Sequence, residues 1–103
     1  MLLTTTETIP GHTYEILGLV RGSTVQCKDF GHDFFAGLQN LVGGEMDSYT
    51  DLMNESREVA TRRMSREAQA LGADAIVGVR YDSSEIAQGA AEVMAYGTAV
   101  RLV

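Results

Sequence analysis

The stretch from Ser56 to Asp82 constrains the fold more than any other part of the chain. It reads SREVATRRMSREAQALGADAIVGVRYD, which predicts the second half of a long helix, a stop at Gly72 and then a buried strand. Arg57 and Glu67 fall at or beside the apolar stripe of this helix, so the face predicted to be buried contains two charges that need partners. The stripe itself, at helical spacing, consists of Met53, Ala60, Met64 and Leu71.

The rest of the chain predicts further strands and a second helix. In chain order, the expected elements are an extended segment, a strand, two helices and two strands: 2–6, 13–26, 30–42, 48–71, 73–81 and 90–103. Gly18 and Gly22 interrupt the first long strand and suggest a bulge or a bend. Residues 82–89 are polar and indicate a loop. The order β-β-α-α-β-β predicts an α+β fold, with two helices on one face of an antiparallel sheet.

Two of the expected strands, 13–26 and 90–103, are too long for both to be interior in a small sheet. At least one long edge must therefore be covered or paired between subunits. A chain of 103 residues is expected to form a single domain, residues 1–103, with a modest core that self-association would help to stabilise.

Composition excludes several classes of partner. The formal net charge of −6 argues against nucleic acid and against an anionic membrane as partners. No apolar run approaches the length of a membrane span, and the N-terminus lacks the pattern of a signal peptide. Cys27 is the only cysteine, which excludes an intrachain disulfide. A cytoplasmic location is therefore expected.

A series of short motifs, in order along the chain, resembles the YbjQ-like family of small prokaryotic proteins. The motifs are Thr4-Thr5-Thr6, FFAGLQNLVGG (34–44), Arg57, Ala60, Arg63-Met64, Glu67-Ala68, LGADAIVGVRYD (71–82) and VMAYGTAV (93–100). The resemblance implies a fold of the dodecin-subunit type, assembled as a ring-shaped homopentamer. It also implies heavy-metal binding, a label that rests on structural comparison rather than on a known ligand set.

Four charged residues are candidate contacts between subunits. Arg57 and Glu67 are ten residues apart, about 15 Å along one helix, so they cannot pair with each other. We expect each to contact a neighbouring copy; the alternative is that both side chains reach out to water. If the last hairpin turns near Ile86, Arg80 lies opposite Glu92 as a cross-strand ion pair, and both join the candidate contacts.

Cys27, Asp29 and His32 are the candidate metal ligands, because they lie close together between the second strand and the first helix. Thiolate and imidazole bind divalent transition metals such as zinc or copper, and a carboxylate can complete a site. The group lacks the second ligand pair that structural zinc sites use. A half-buried thiol and an ordinary loop histidine therefore remain the alternative.

Tyr81 and Tyr96, with Arg80, are expected to line a pocket at the ring centre or between subunits, for a small planar or anionic ligand, or else to form an interface packing cluster. No nucleophile, base and orienting acid occur in a recognisable pattern, so an enzyme is not expected. The sequence predicts an oligomeric protein that binds a metal or a small ligand. The alternative is a structural or protein-interaction module that binds neither.

Overall fold

The computed structural model describes residues 1–27, 44–88 and 90–103. The elements within these ranges follow the order β-β-α-β-β: β1 (Leu2–Leu3), β2 (Tyr14–Cys27), α1 (Gly44–Ala70), β3 (Ala75–Ala87) and β4 (Ala90–Leu102). No helix of the described part is long and apolar enough to cross a membrane.

The four strands form one mixed sheet in the order β1-β3-β4-β2. β3 and β4 are an antiparallel hairpin, closed where Ala87 pairs with Ala90. β2 runs antiparallel to β4 along its whole length, with one irregularity between Ile16 and Gly18. β1 pairs with the start of β3 in the parallel direction. β2 and β3 are therefore the two long strands that lack a long neighbour on their outer side.

The predicted fold, an antiparallel sheet with two helices on one face, is wrong. The sheet is mixed because Leu2 and Leu3 lie beside Ala75 and Ile76 in the parallel direction. One helix lies on the sheet in the described part of the chain, and the helix predicted over 30–42 falls outside that part.

The loop predicted over 82–89 is also wrong for most of its length, because β3 continues to Ala87. Residues 80–87 of this strand are all exposed. A strand that is exposed on both faces has no apolar alternation, so its polar composition resembles that of a loop.

α1 lies across one face of the sheet, and the main core fills the space between them. The helix contributes a buried stripe of Ala60, Met64 and Ala68, which packs against strand residues that include Val20, Ile76 and Ala95. A smaller cluster on the opposite face joins Ile9 of the N-terminal segment to Ala75, Val77 and Val100. Near the start of β3, described residues thus cover both faces of the sheet.

The predicted end of the long helix at Gly72 is confirmed. Gly72 has a φ of 79°, in the left-handed region that glycine adopts without strain. Its amide donates to the carbonyl of Gln69 at 2.9 Å, and the amide of Ala73 donates to the carbonyl of Ala68 at 3.1 Å. These two bonds are those of a Schellman motif, which ends a helix and turns the chain toward the next strand.

Candidate functional site

α1 contacts β2 at Gly22 through backbone atoms. A Cβ atom at Gly22 would clash with the backbone nitrogen of Met64 and the carbonyl oxygen of Ala60, and it would lie 2.8 Å from the backbone carbon of Arg63. Only glycine leaves room for this approach. As a result the helix packs mainly against β2, less against β4 and least against β3.

The close approach lets two helix side chains reach over the outer side of β2. Arg63 Nη1 donates to the carbonyl oxygen of Ser23 at 2.7 Å. Glu67 Oε1 accepts from the backbone amide of Arg21 at 3.3 Å. An edge strand exposes such backbone groups to any other strand that approaches. We call the outer side of β2 from Arg21 to Ser23 the capped edge, because side chains of the same chain occupy it.

Among the described residues, those of the N-terminal segment cover the outer side of β3 at its start. The amides of Gly78 and Val79 donate to the carbonyls of Thr6 and Thr4, at 2.9 and 3.0 Å. Arg80 Nη1 donates to the carbonyl of Thr5 at 3.0 Å. Beyond this point, no described residue pairs with the outer side of the strand. We call the outer side of β3 over Arg80–Ala87 the open edge.

A groove runs between α1 and the helix-facing side of β3, where the helix makes the fewest contacts with the sheet. Its outer part has a volume of about 700 Å³ and is lined by Asn54, Arg57, Glu58, Thr61, Arg62 and Tyr81. A recess of about 140 Å³ continues from it and is lined by Met53, Arg57, Tyr81, Asp82, Ser83 and Val93. Arg57 and Tyr81 belong to both, so the two form one continuous site, which we call the groove.

Hydrogen bonds hold the polar groups of the groove in place. Thr61 Oγ1 donates to the carbonyl of Arg57 at 2.7 Å, which uses its single hydrogen. The 2.8 Å bond between Thr61 Oγ1 and the hydroxyl of Tyr81 must therefore be donated by Tyr81. Arg57 Nη2 donates to Asn54 Oδ1. The phenol and the guanidinium are thereby fixed at the two sides of one opening.

The charged residues of the groove are not joined in ion pairs with one another. Within the described ranges, the pair of opposite charges closer than 4 Å is Arg101 with Glu15, at the far end of β2 and β4. The groove contains the guanidinium groups of Arg57 and Arg62 and the carboxylate of Glu58. Asp82 also lines the recess, but it pairs with Met94 across the hairpin, so strand alternation directs its side chain to the other face of the sheet.

The two predicted helix charges lie on opposite flanks of the buried stripe. Both are exposed, and each has a partner in its own chain: Glu67 at the capped edge and Arg57 in the groove. Contacts of either residue with a neighbouring copy remain a prediction.

The predicted cross-strand pair of Arg80 and Glu92 is wrong. Arg80 lies opposite Tyr96, and Glu92 lies opposite Ser84. The hairpin turns after Ala87 rather than near Ile86, and this later turn places Arg80 opposite Tyr96. Arg80 and Glu92 as contacts between subunits stay predictions.

The predicted approach of Tyr81 to Tyr96 across the hairpin is also wrong, while a pocket between subunits lined by both remains a prediction. Tyr81 pairs with Ala95, a core residue beneath α1, whereas Tyr96 pairs with Arg80. Adjacent pairs point to opposite faces of a sheet, so the two tyrosines lie on different faces. Tyr81 lines the groove with Arg57 instead.

Of the predicted metal ligands, Cys27 is the last residue of β2 and pairs with Ala90 of β4. Asp29 and His32 lie outside the described residues. Within the ranges that are described, no three His, Cys, Asp or Glu side chains are grouped as a metal site would require.

The sequence analysis missed the roles of Gly22, Arg63, Asn54 and Thr61. Gly22 did stand out as an interruption in a strand, and glycine in a strand is typical of close backbone approach as well as of bulges. The irregularity in β2 falls between Ile16 and Gly18, which leaves Gly22 as the position of close approach.

Comparisons with known proteins agree over the whole chain. The YbjQ family model, described as "Putative heavy-metal-binding", matches residues 1–103. A UPF0145 protein of Clostridium novyi is 53% identical over 103 residues, with 100% of both chains covered. A UPF0145 protein of Thermus thermophilus is 52% identical, covering 99% of this chain and 90% of the relative.

A crystal structure of a protein of unknown function from Pediococcus pentosaceus, which belongs to the DUF74 family, has a similar fold. Its TM-score is 0.71 at 19% sequence identity, and the match covers 100% of this chain and 98% of the other.

Proposed function

Because the chain belongs to the YbjQ-like family of UPF0145 proteins, we propose that it is a small homo-oligomeric binding protein. The observation that best supports self-association is the open edge, Arg80–Ala87, where β3 has no neighbour among the described residues. Strand edges of this length are commonly covered, because unpaired backbone groups attract other strands.

The contrast with β2 strengthens the proposal. The same helix that leaves the open edge uncovered places Arg63 and Glu67 on the capped edge. Pairing with another strand is thus hindered on one side of the sheet and permitted on the other. Asp82 and Glu85 on the open edge disfavour indiscriminate pairing, so the partner we assign to it is a second copy in a defined orientation.

The family resemblance implies a homopentamer, so we propose an assembly of five chains. An odd number of copies requires a head-to-tail contact, in which the open edge meets a different surface of the next copy. Ile16 and Leu19 offer such a surface, because both are large, apolar and exposed on β2 outside the capped edge.

Sedimentation equilibrium tests this assembly. The wild type is expected to sediment as five chains, whereas Ile86→Lys and Leu19→Lys are each expected to sediment as monomers. Leu71→Lys is the matched control, because Leu71 at the end of α1 is 47% exposed and Ile86 is 54% exposed. A monomeric wild type, or an Ile86→Lys variant that keeps the wild-type mass, would contradict the proposal.

The family description supports a second candidate function, the binding of a heavy metal through Cys27, Asp29 and His32. Cys27 supplies a soft thiolate, which favours zinc or copper over magnesium or calcium. Isothermal titration with zinc or copper is expected to give saturable heat for the wild type and none for Cys27→Ser/His32→Ala. Equal heat for both proteins would exclude this ligand set. No heat for either would favour an interaction module that binds no metal.

A further inference from the structure

The groove between α1 and β3 contains the chemistry of a small-molecule site. We infer that it binds a small aromatic carboxylate, with Arg57 holding the carboxylate group and Tyr81 packing against the ring. This inference rests on the proposed binding function and names the class of ligand that the groove would take.

Arg57 supplies the group that would bind the carboxylate. A guanidinium has five N–H donors in a planar fork, which matches the two oxygens of a carboxylate. One nitrogen is committed to Asn54 Oδ1, and this bond fixes the orientation of the fork. Arg57 lines both the outer part of the groove and the recess, so a ligand in either part can reach its side chain.

Tyr81 and the recess supply the apolar surface that would contact the ring of the ligand. The hydroxyl of Tyr81 is held by Thr61, and the residue is about half exposed, so one side of the ring is available to a ligand. Met53 and the buried Val93 add apolar surface to the recess beside it. A fixed aromatic ring next to apolar side chains favours a flat apolar ligand, and aromatic rings stack with an offset or meet edge to face.

The charges of the groove select among anions. The groove is lined by two guanidinium groups, those of Arg57 and Arg62, and by one carboxylate, that of Glu58. The balance favours a ligand with a single negative charge. The three side chains together carry one positive charge, which one carboxylate neutralises and a second would exceed. The groove should therefore prefer benzoate to the dianion isophthalate.

Fluorine NMR titration of the wild-type protein with 4-fluorobenzoate tests the inference. Saturable binding is expected, together with affinity at least about tenfold weaker for the neutral probe 4-fluorobenzamide, because an ionic hydrogen-bonded contact is lost. Arg57→Gln and Tyr81→Leu should each weaken 4-fluorobenzoate binding by at least about tenfold. Arg57→Lys, which keeps the charge but lacks the fork, should lie between Arg57→Gln and the wild type.

Arg101→Gln is the control, because it removes a guanidinium that pairs with Glu15, at the far end of the sheet. Binding that is equal in the wild type and Arg57→Gln would overturn the inference, as would equal binding of the amide and the carboxylate. Sedimentation of the same samples keeps the two proposals apart. An intact oligomer that binds no 4-fluorobenzoate would overturn the ligand inference and leave the assembly proposal standing.

Discussion

The two long outer strands of the sheet, β2 and β3, differ in how their outer sides are covered. On β2, Arg63 and Glu67 of α1 bind the backbone of Ser23 and Arg21. On β3, the N-terminal residues cover the start of the strand, and Arg80–Ala87 have no described neighbour. The position of α1 determines two features. It caps the edge of β2 with its side chains, and it leaves the groove over β3.

Gly22 determines that position. Because it has no side chain, α1 approaches β2 at backbone distance and lies off the centre of the sheet. The groove over β3 is the space that the displaced helix does not fill. A glycine in one strand thus shapes a candidate binding site beside another.

The largest effect on stability should come from Gly22→Ala, which would prevent the close approach of α1 to β2. The added methyl group clashes with helix backbone, which cannot rotate away as a side chain can. We expect a loss of at least about 3 kcal/mol in the free energy of unfolding, measured with urea.

Ser23→Ala is the control for Gly22→Ala, since Arg63 binds the carbonyl of residue 23 and not its hydroxyl. Its stability should stay within about 0.5 kcal/mol of the wild type. A Gly22→Ala protein as stable as the wild type would mean that the helix does not approach β2 this closely.

Glu67→Ala should convert part of the capped edge into an open one. It removes the acceptor of the Arg21 amide, and we expect a loss of about 1 kcal/mol together with faster hydrogen exchange of that amide. Glu58→Ala, on the other flank of the same helix, should leave the Arg21 amide unchanged. If both variants exchange at the same rate as the wild type, Glu67 does not cap β2.

Tyr81→Phe tests the contact between α1 and β3, since it removes the hydrogen bond between Tyr81 and Thr61 across the groove. Removing the hydroxyl leaves Thr61 bound to the Arg57 carbonyl, so we expect a loss of only about 0.5 kcal/mol in thermal unfolding. Tyr96→Phe, on the opposite face of the sheet, should have no effect. A larger loss for Tyr96→Phe than for Tyr81→Phe would contradict this assignment.

Arg101→Met should have the smallest effect. Its ion pair with Glu15 joins β4 to β2 at 2.7 Å, but the two side chains are 52% and 55% exposed. Exposed pairs contribute between about 0 and 1 kcal/mol, and added salt weakens them further. A loss of several kcal/mol on thermal unfolding would show that this end of β2 depends on charge in a way that the capped edge does not.

The sequence predicted the elements that depend on local pattern. The long helix, its end at Gly72 and the buried start of β3 follow from apolar spacing and glycine chemistry, and the family follows from the motifs. The sequence did not predict the length of β3, because its second half is exposed on both faces and so lacks apolar alternation. It also misplaced Arg80 relative to Glu92, because the exposed strand continues to Ala87 and the hairpin turns later than the sequence indicated.

The site was harder to predict than the fold. Arg57 and Glu67 stood out as charges beside an apolar stripe. The partner of Arg57, Asn54, lies three residues earlier on the same helix, but the partner of Glu67, the Arg21 amide, depends on where the helix crosses the sheet. That crossing is a tertiary contact at Gly22, and no local pattern states which helix residue will lie above it.

Hydrogen exchange at two protein concentrations tests the central claim most directly. If copies associate through the open edge, peptides that cover Arg80–Ala87 should gain protection as concentration favours the oligomer. The Arg21 amide should be protected equally at both concentrations, because its partner is in the same chain. Protection that rises at Arg21 and stays constant over Arg80–Ala87 would contradict the account, since the capped edge, and not the open edge, would then be the surface that meets another copy.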